Sequence, residues 1–153
     1  MKSPSIRFEN SHRHRLLAIV AAALTAVLAA GSAAAAAQVH AAETAQGDVG
    51  KAGYETYCQA CHQPTGLGMA GVFPPLAGSD YLLEDPQRGI DAVLNGVSGG
   101  IEVNGKSYNS VMPHLNYLSD ENIAAILNYT LNTWGNDGGM VTVAQVASAR
   151  AGS

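Results

Sequence analysis

The chain contains two cysteines, Cys58 and Cys61, and His62 directly follows the second one. This Cys-Gln-Ala-Cys-His segment has the C-x-x-C-H spacing that attaches c-type haem. Two thiols one helical turn apart can each add to one vinyl group of a porphyrin, and the neighbouring imidazole can then bind the iron. We therefore expect one haem c per chain, attached through Cys58 and Cys61 and ligated by His62.

Other uses of a close cysteine pair fit this sequence less well. A thioredoxin-like redox site needs a βαβ context, and no strand is predicted ahead of Cys58. A zinc site needs two further ligands, and His114 is the one histidine after the motif. A disulfide between residues three apart has poor geometry, and an iron–sulfur cluster requires four cysteines. Haem attachment is the chemistry that the motif favours.

The second axial ligand of the iron decides between electron transfer and open-site chemistry. The candidates downstream of the motif are Met69, Met112, His114 and Met140. Met69 follows the motif too closely to reach the opposite face of a haem easily, and Met140 lies in a glycine-rich linker. Met112 precedes a proline, which favours an extended backbone ahead of the last long helix. We expect Met112 to be the ligand, with His114 as the alternative.

The cysteine motif is predicted to end a first helix that begins at Asp48 as N-cap and runs to about Ala60. The segment 63–78 that follows is rich in glycine and proline, which predicts a long loop. A loop of this length in a compact domain is usually functional.

A second helix and a hairpin have clear local signals. Asp85 followed by a proline begins the helix, which has apolar residues at helical spacing as far as Val97 and a glycine pair at 99–100 as its end. Asn104 and Gly105 between short flanks predict a two-residue hairpin turn.

The strongest helical pattern lies near the C-terminus. Ser119 is a capping residue, two acidic residues follow it, and the apolar face extends to Trp134. Thr142 begins a capping box that predicts a short last helix to about Arg150. The predicted fold class is therefore all-α, with three main helices, long loops and almost no strand.

These features resemble the class I c-type cytochromes of the bacterial monohaem type, over about residues 47–136. In that family a glycine and an aromatic residue four positions apart precede C-x-x-C-H, as Gly50 and Tyr54 do here. The aromatic residue of the family's C-terminal helix matches Tyr129, which implies a helix crossing near Gly50. The resemblance implies the cytochrome c fold, wrapped around one covalently attached haem.

The resemblance also implies roles for residues around the haem. Pro74 matches the family's loop proline, whose carbonyl accepts the ring N–H of the histidine ligand. Met112 matches the methionine of the family's Met-Pro ligand loop. Tyr108 is a further expected cofactor contact, either by packing on the haem or by a hydrogen bond to a propionate.

A narrower likeness involves three segments, 73–82, 103–105 and 108–113. They resemble cytochrome domains of copper nitrite reductases and cytochrome subunits of periplasmic dehydrogenases. Unlike in those proteins, we expect no attached catalytic domain here, which leaves the specific partner open.

The N-terminal part predicts export. Basic residues lead into an apolar run over 16–37, and small residues then offer a cleavage site before Ala42. We expect a signal peptide over 1–41, a flexible leader over 42–47, the cytochrome domain over 48–136, and a linker with a short helix over 137–153. The alternative is an uncleaved membrane anchor at 16–37. Either way the domain is expected in the periplasm.

Charge narrows the class of partner. From Ala42 onward four basic residues face eleven acidic ones, a net charge of −7. Nucleic acids and anionic membrane surfaces need a basic protein surface, so neither is expected as a partner. Association with a membrane is expected only if the N-terminal anchor is retained. A basic or neutral redox protein fits better.

We expect a one-electron carrier between a respiratory donor and a terminal reductase, oxidase or dehydrogenase. It is expected to be neither an enzyme nor a binder of a small-molecule substrate. One alternative is a fixed haem subunit of a dehydrogenase or nitrite reductase complex. The other is a haem enzyme or gas sensor with an open sixth site.

Overall fold

The computed structural model describes residues 46–152, so the predicted signal peptide and most of the leader lie outside the described residues. Helix α1 covers 46–57 in its described part, and α2, Gln59–His62, follows after an interruption at Cys58. The N-cap prediction at Asp48 is wrong, because the two residues before it are already helical. No helix within 46–152 is long and apolar enough to cross a membrane.

The remaining elements are α3 Asp80–Leu83, α4 Pro86–Asn95, β1 Ile101–Val103, β2 Lys106–Tyr108, α5 Asp120–Leu131 and α6 Val143–Ala151. The two strands form an antiparallel hairpin around Asn104 and Gly105, both with positive φ, as a tight hairpin turn requires. The predicted all-α fold with long loops and a small hairpin is confirmed. The one-turn helix α3 was not predicted.

The predicted helix starts after the motif are confirmed by their caps. The side chains of Asp85 and Ser119 each accept a hydrogen bond from a backbone N–H in the first turn of α4 and α5. Thr142 and Gln145 form a complete capping box at the start of α6. These signals are local, which is why the sequence alone was sufficient.

The predicted helix ends were too late. Helix α4 stops at Asn95 because Gly96 has φ +74°, and Val97 leaves the helix to pair with another segment. Helix α5 stops at Leu131, and Trp134 lies beyond it with φ +58°. In both places tertiary contacts override a helical pattern that continues in the sequence.

Helix α5 is the centre of the core, and α4 and α6 pack against it. Ile123 and Leu131 of α5 and Val146 of α6 are fully buried. Helix α1 crosses α5 at Gly50, where a Cβ atom would overlap the carbonyl oxygen of Ala125. The helix crossing implied by the family resemblance is therefore present.

Candidate haem-binding site

A deep cleft opens between the helices and the long loops, with about 1180 Å³ of empty space including its open mouth. Most of its lining is apolar and comes from α3, α4 and the segment after it, the hairpin and α5. It includes Leu82, Val93, Val97, Ile101, Ile126 and Leu127. The six residues predicted to bind the cofactor all line it: Cys58, Cys61, His62, Pro74, Tyr108 and Met112. The fold thus brings the whole predicted set to one cavity.

His62 ends α2 and is buried, with its ring held by the loop. Its Nδ1 atom lies 3.0 Å from the carbonyl oxygen of Pro74. A carbonyl oxygen only accepts hydrogen bonds, so Nδ1 carries the proton and Nε2 keeps a free lone pair. Burial lowers the pKa of His62, while the hydrogen bond to Pro74 opposes that shift. The imidazole is therefore held neutral, the form that binds a metal.

The loop around Pro74 folds back on itself. The carbonyl oxygen of Gly66 accepts hydrogen bonds from the N–H of Leu76 at 2.7 Å and from the next N–H at 2.9 Å. Gly68 has φ +63°, and a Cβ atom there would overlap the carbonyl oxygens of Phe73 and Pro74. The glycines of this loop are thus what allows Pro74 to reach His62.

Cys58 and Cys61 are free, half-buried thiols; Cys58 is the N-cap of α2 and Cys61 lies within it. Burial raises the pKa of Cys58 to about 11, with a smaller contribution from the neighbouring Cys61. Both side chains line the cleft within one helical turn of each other. Two thiols and a neutral imidazole on one wall of an apolar cleft are the donor set that a c-type haem requires.

Met112 is half-buried and contacts the hydrophobic core. Its backbone pairs with Val97 through two hydrogen bonds, of 2.9 and 3.0 Å. Gly96 makes this approach possible, because a Cβ atom there would lie 2.6 Å from the carbonyl oxygen of Met112. The end of α4 therefore fixes Met112 at the cleft.

The other candidate ligands lie elsewhere. Among the described residues that line the cleft, neither Met69, His114 nor Met140 is present. The side chains of Met69 and Met140 are 48% and 66% exposed, and His114 is also exposed. Met112 is thus the candidate that shares the cleft with His62.

Tyr108 is buried at the end of β2 and lines the cleft. The hairpin that carries it is held by a reciprocal pair of hydrogen bonds. The Asp80 carboxylate accepts from the N–H of Asn104 at 2.7 Å, and the Asn104 side-chain oxygen accepts from the N–H of Asp80 at 3.0 Å. Helix α3, which the sequence did not predict, therefore anchors the hairpin.

Sequence reasoning missed Arg88. Its side chain is the one cation among the described residues that line the cleft, and its guanidinium lies 5.1 Å from the ring centre of Tyr81. Its Nη1 atom lies 3.8 Å from a carboxylate oxygen of Glu84, and its Nε atom lies 3.7 Å from one of Asp85. A guanidinium in this position suits the carboxylate of a porphyrin propionate. The sequence feature that could have indicated Arg88 is the scarcity of basic residues, since it is one of four after Ala42.

Comparison with known families decides the assignment. The family model described as Cytochrome c matches residues 48–134, which is more than half of the chain. The chain belongs to the cytochrome c family. Membership implies a covalently attached haem c, and the donor set and apolar cleft of this cytochrome fit that group. Residues 48–134 therefore form a haem electron-transfer domain, and the expected resemblance is confirmed.

Similar proteins are cytochromes of several kinds. The chain is 45% identical over 83 residues to cytochrome c-552 of Thermus thermophilus, covering 52% of this chain and 63% of that protein. It is 33% identical over 112 residues to the cytochrome c subunit of a quinone alcohol dehydrogenase of Gluconobacter oxydans, covering 69% and 23%. It is 34% identical over 76 residues to the thiosulfate dehydrogenase electron acceptor of Stutzerimonas stutzeri, covering 49% and 32%. The cytochrome thus spans less than two thirds of each relative.

Proposed function

We propose that this cytochrome is a periplasmic one-electron carrier whose haem iron is ligated by His62 and Met112. The observation that carries the proposal is the shared cleft, since Met112 is the candidate second ligand that lines it together with His62. When bound, the haem supplies one-electron exchange between ferrous and ferric iron, and a methionine ligand favours the ferrous form.

The residues around the cleft suit this role because they hold both ligands in place. The His62 ring is fixed through Nδ1 by the Pro74 carbonyl, and the Met112 backbone is fixed by its pairing with Val97. Because the protein holds both ligands, their positions need not change when the charge of the iron changes. The reorganisation energy between the two oxidation states is therefore small. The apolar lining excludes water from the site.

Export and partners are part of the proposal. The basic and then apolar N-terminal sequence supports a cleaved signal peptide over 1–41 and a periplasmic location. After Ala42, three of the four cations, Lys51, Arg88 and Arg150, already pair with acidic side chains. This acidic surface suits a redox protein with a basic or neutral face, such as a respiratory donor and a terminal reductase, oxidase or dehydrogenase. We propose electron transfer without substrate turnover.

The test is the spectrum of the ferric protein. We expect the weak far-red absorption band that marks sulfur bound to ferric haem, and we expect Met112→Ala to remove it while the covalent haem is retained. Met69→Ala is the matched control, because Met69 is exposed and outside the cleft lining, and it should keep the band. A band that survives Met112→Ala, or ready binding of carbon monoxide by the reduced unsubstituted protein, would contradict the proposal and favour an open-site haem protein.

A second candidate is a fixed haem subunit of a dehydrogenase or nitrite reductase complex. The likeness to a dehydrogenase cytochrome subunit, which extends over more of this chain than the other two likenesses, favours it. The native mass of the protein from the periplasm and from the membrane fraction distinguishes the two. A monomer in the periplasmic fraction supports the free carrier, whereas a stable larger assembly supports the fixed subunit.

A further inference from the structure

Asn136, in the segment after α5, is 8% exposed and uses all of its side-chain hydrogen-bonding groups but one lone pair. Its Oδ1 atom accepts from the N–H of Gly78 at 2.7 Å. Its Nδ2 atom donates to the carbonyl oxygens of Leu76 at 3.0 Å and of Thr130 at 2.8 Å. A buried carboxamide with three backbone partners is a strong structural tie, because each partner would otherwise lose a hydrogen bond.

The three bonds join two distant parts of the chain. Thr130 lies in the last turn of α5, where carbonyl groups have no partner within the helix. Leu76 and Gly78 belong to the loop that carries Pro74, about 60 residues earlier in the sequence. Asn136 thus fastens the loop just after Pro74 to the most buried helix of the domain.

Trp134 fastens the other branch of the same loop. Its indole N–H donates to the carbonyl oxygen of Pro64 at 3.1 Å. A Cβ atom on Gly66 would lie 2.6 Å from its ring, and the carbonyl of Gly66 in turn accepts from Leu76. Trp134 has φ +58°, a conformation that a bulky residue adopts only when its surroundings hold it there. The segment 134–136 therefore hydrogen bonds to the loop on both sides of Pro74, at Pro64 before it and at Leu76 and Gly78 after it.

We infer that Asn136 is a positioning residue for the haem ligand His62. By holding Leu76 and Gly78, it sets where the Pro74 carbonyl lies relative to Nδ1 of the imidazole. The inference rests on the proposed ligation of the iron by His62, and it adds a residue to that site from outside the cleft.

The physical link runs through the basicity of the imidazole. A carbonyl that accepts the Nδ1 proton in good geometry makes the ring a stronger electron donor at Nε2, and a stronger donor favours ferric iron. When Asn136 no longer holds the loop, the carbonyl of Pro74 moves away from its best alignment. The ring becomes a weaker donor, which favours ferrous iron and raises the reduction potential.

Asn128 provides a matched control within the same helix bundle. It is also a buried asparagine, 9% exposed, and its carboxamide also binds backbone groups, the N–H and the carbonyl of Val141 at 2.7 and 2.9 Å. Within residues 46–152 these two bonds hold the segment before α6, and neither involves the loop of Pro74. Asn128→Ala should therefore cost stability without changing the iron ligand.

The experiment compares holo-protein carrying Asn136→Ala, Asn136→Ser or Asn128→Ala. Guanidinium unfolding measures stability, and spectroelectrochemistry measures the reduction potential. We expect all three variants to unfold at lower denaturant. At a fixed solution potential, the Asn136 variants should show a ratio of reduced to oxidised haem raised about threefold, or about 28 mV for a one-electron couple, and Asn128→Ala should show no change.

An unchanged potential in both Asn136 variants, or an equal shift in Asn128→Ala, would overturn the inference. Asn136→Ser is also uncharged and loses the Nδ2 donor to Leu76 and Thr130, so it carries the same prediction if Asn136→Ala does not accumulate. Hydrogen exchange of the Gly78 amide in the unsubstituted holo-protein is a second test, since fast exchange would show that the bond does not persist. A missing far-red band, or ready binding of carbon monoxide, in the unsubstituted protein would defeat the proposed function itself, and that spectrum is recorded before any variant is made.

Discussion

The two sides of the cleft are held in different ways. On the His62 side, the ring itself is hydrogen bonded to Pro74, and the loop behind it is tied to Gly66 and Asn136. On the Met112 side, the hold is on the backbone, through the pairing with Val97.

The difference follows from the chemistry of the two side chains. An imidazole has a second nitrogen through which the protein can hold it, whereas a thioether is only a weak acceptor. The position of Met112 therefore depends on the segment that carries it, which pairs with Val97. We expect any perturbation to release the methionine side before the histidine side.

Arg150 supports the far end of the methionine side. This residue of α6 donates to the carbonyl oxygens of Asn116 and Leu118 and pairs with Asp120 at 2.8 Å. The last helix therefore contributes to the segment between Met112 and α5, in addition to covering the core through Val146.

The largest effect is expected when His62 is replaced. His62→Ala removes both the ligand and the partner of the Pro74 carbonyl, so the yield of holo-protein should fall by at least about tenfold. Metal affinity falls by that much even when the replaced residue contacts a ligand and not the metal. Met112→Ala should accumulate near the unsubstituted level. Haem content per chain measures both, and a similar yield for the two variants would remove the contrast between the two sides.

Gly68→Ala should be the next most severe change. Its Cβ atom would overlap the carbonyl oxygens of Phe73 and Pro74 in addition to the strain of φ +63°, so we expect a loss of about 3 kcal/mol in the free energy of unfolding. Gly71→Ala is the control in the same loop, with φ +73° and open space around it, and it should lose about 1 kcal/mol. Equal losses in guanidinium unfolding would show that the loop does not depend on this close approach.

Gly96→Ala tests the methionine side in the same way. The added Cβ atom would lie 2.6 Å from the Met112 carbonyl oxygen at φ +74°. Because Met112 is held through its backbone, the segment can shift with the added atom, so we expect a smaller loss of about 2 kcal/mol and a weakened far-red band. Gly99→Ala, at φ +90° with nothing nearby, should keep the band. An intact band in Gly96→Ala would mean that the pairing with Val97 does not position the ligand.

Arg150→Ala should have the smallest effect, about 1 kcal/mol, because its ion pair is partly exposed. In Arg150→Ala we expect the far-red band to disappear at a lower guanidinium concentration than the helical circular dichroism signal does. The control is Lys51→Ala, which removes an exposed pair with Glu55 in α1 and should change neither transition. Coincident loss of band and helix in Arg150→Ala would contradict an independent role for the methionine segment.

The sequence predicted what local chemistry decides. The caps at Asp85, Ser119 and Thr142 and the turn at Asn104 depend on residues within one turn of each other, and all are present. The all-α fold followed from these elements together with the cysteine motif. The contact of His62 with Pro74 was anticipated from the family resemblance and not from spacing.

The errors lie where distant segments meet. Val97 continues a helical pattern but pairs with Met112, and Trp134 continues the apolar face of α5 but leaves the helix to reach Pro64. Asn136 carries no sequence signal, because an asparagine between glycine and aspartate is typical of a surface turn. Its burial and its three partners exist only in the folded chain.

X-ray absorption at the iron edge of the ferric holo-protein reports directly on whether His62 and Met112 ligate the iron. The method counts the sulfur and nitrogen atoms bound to the metal, and the cysteine sulfurs do not contribute because they are bonded to the porphyrin periphery. Ligation by His62 and Met112 predicts one sulfur and five nitrogens, four from the porphyrin and one from His62. Six nitrogens, as with His114 in place of Met112, or five nitrogens with no sulfur, would contradict it.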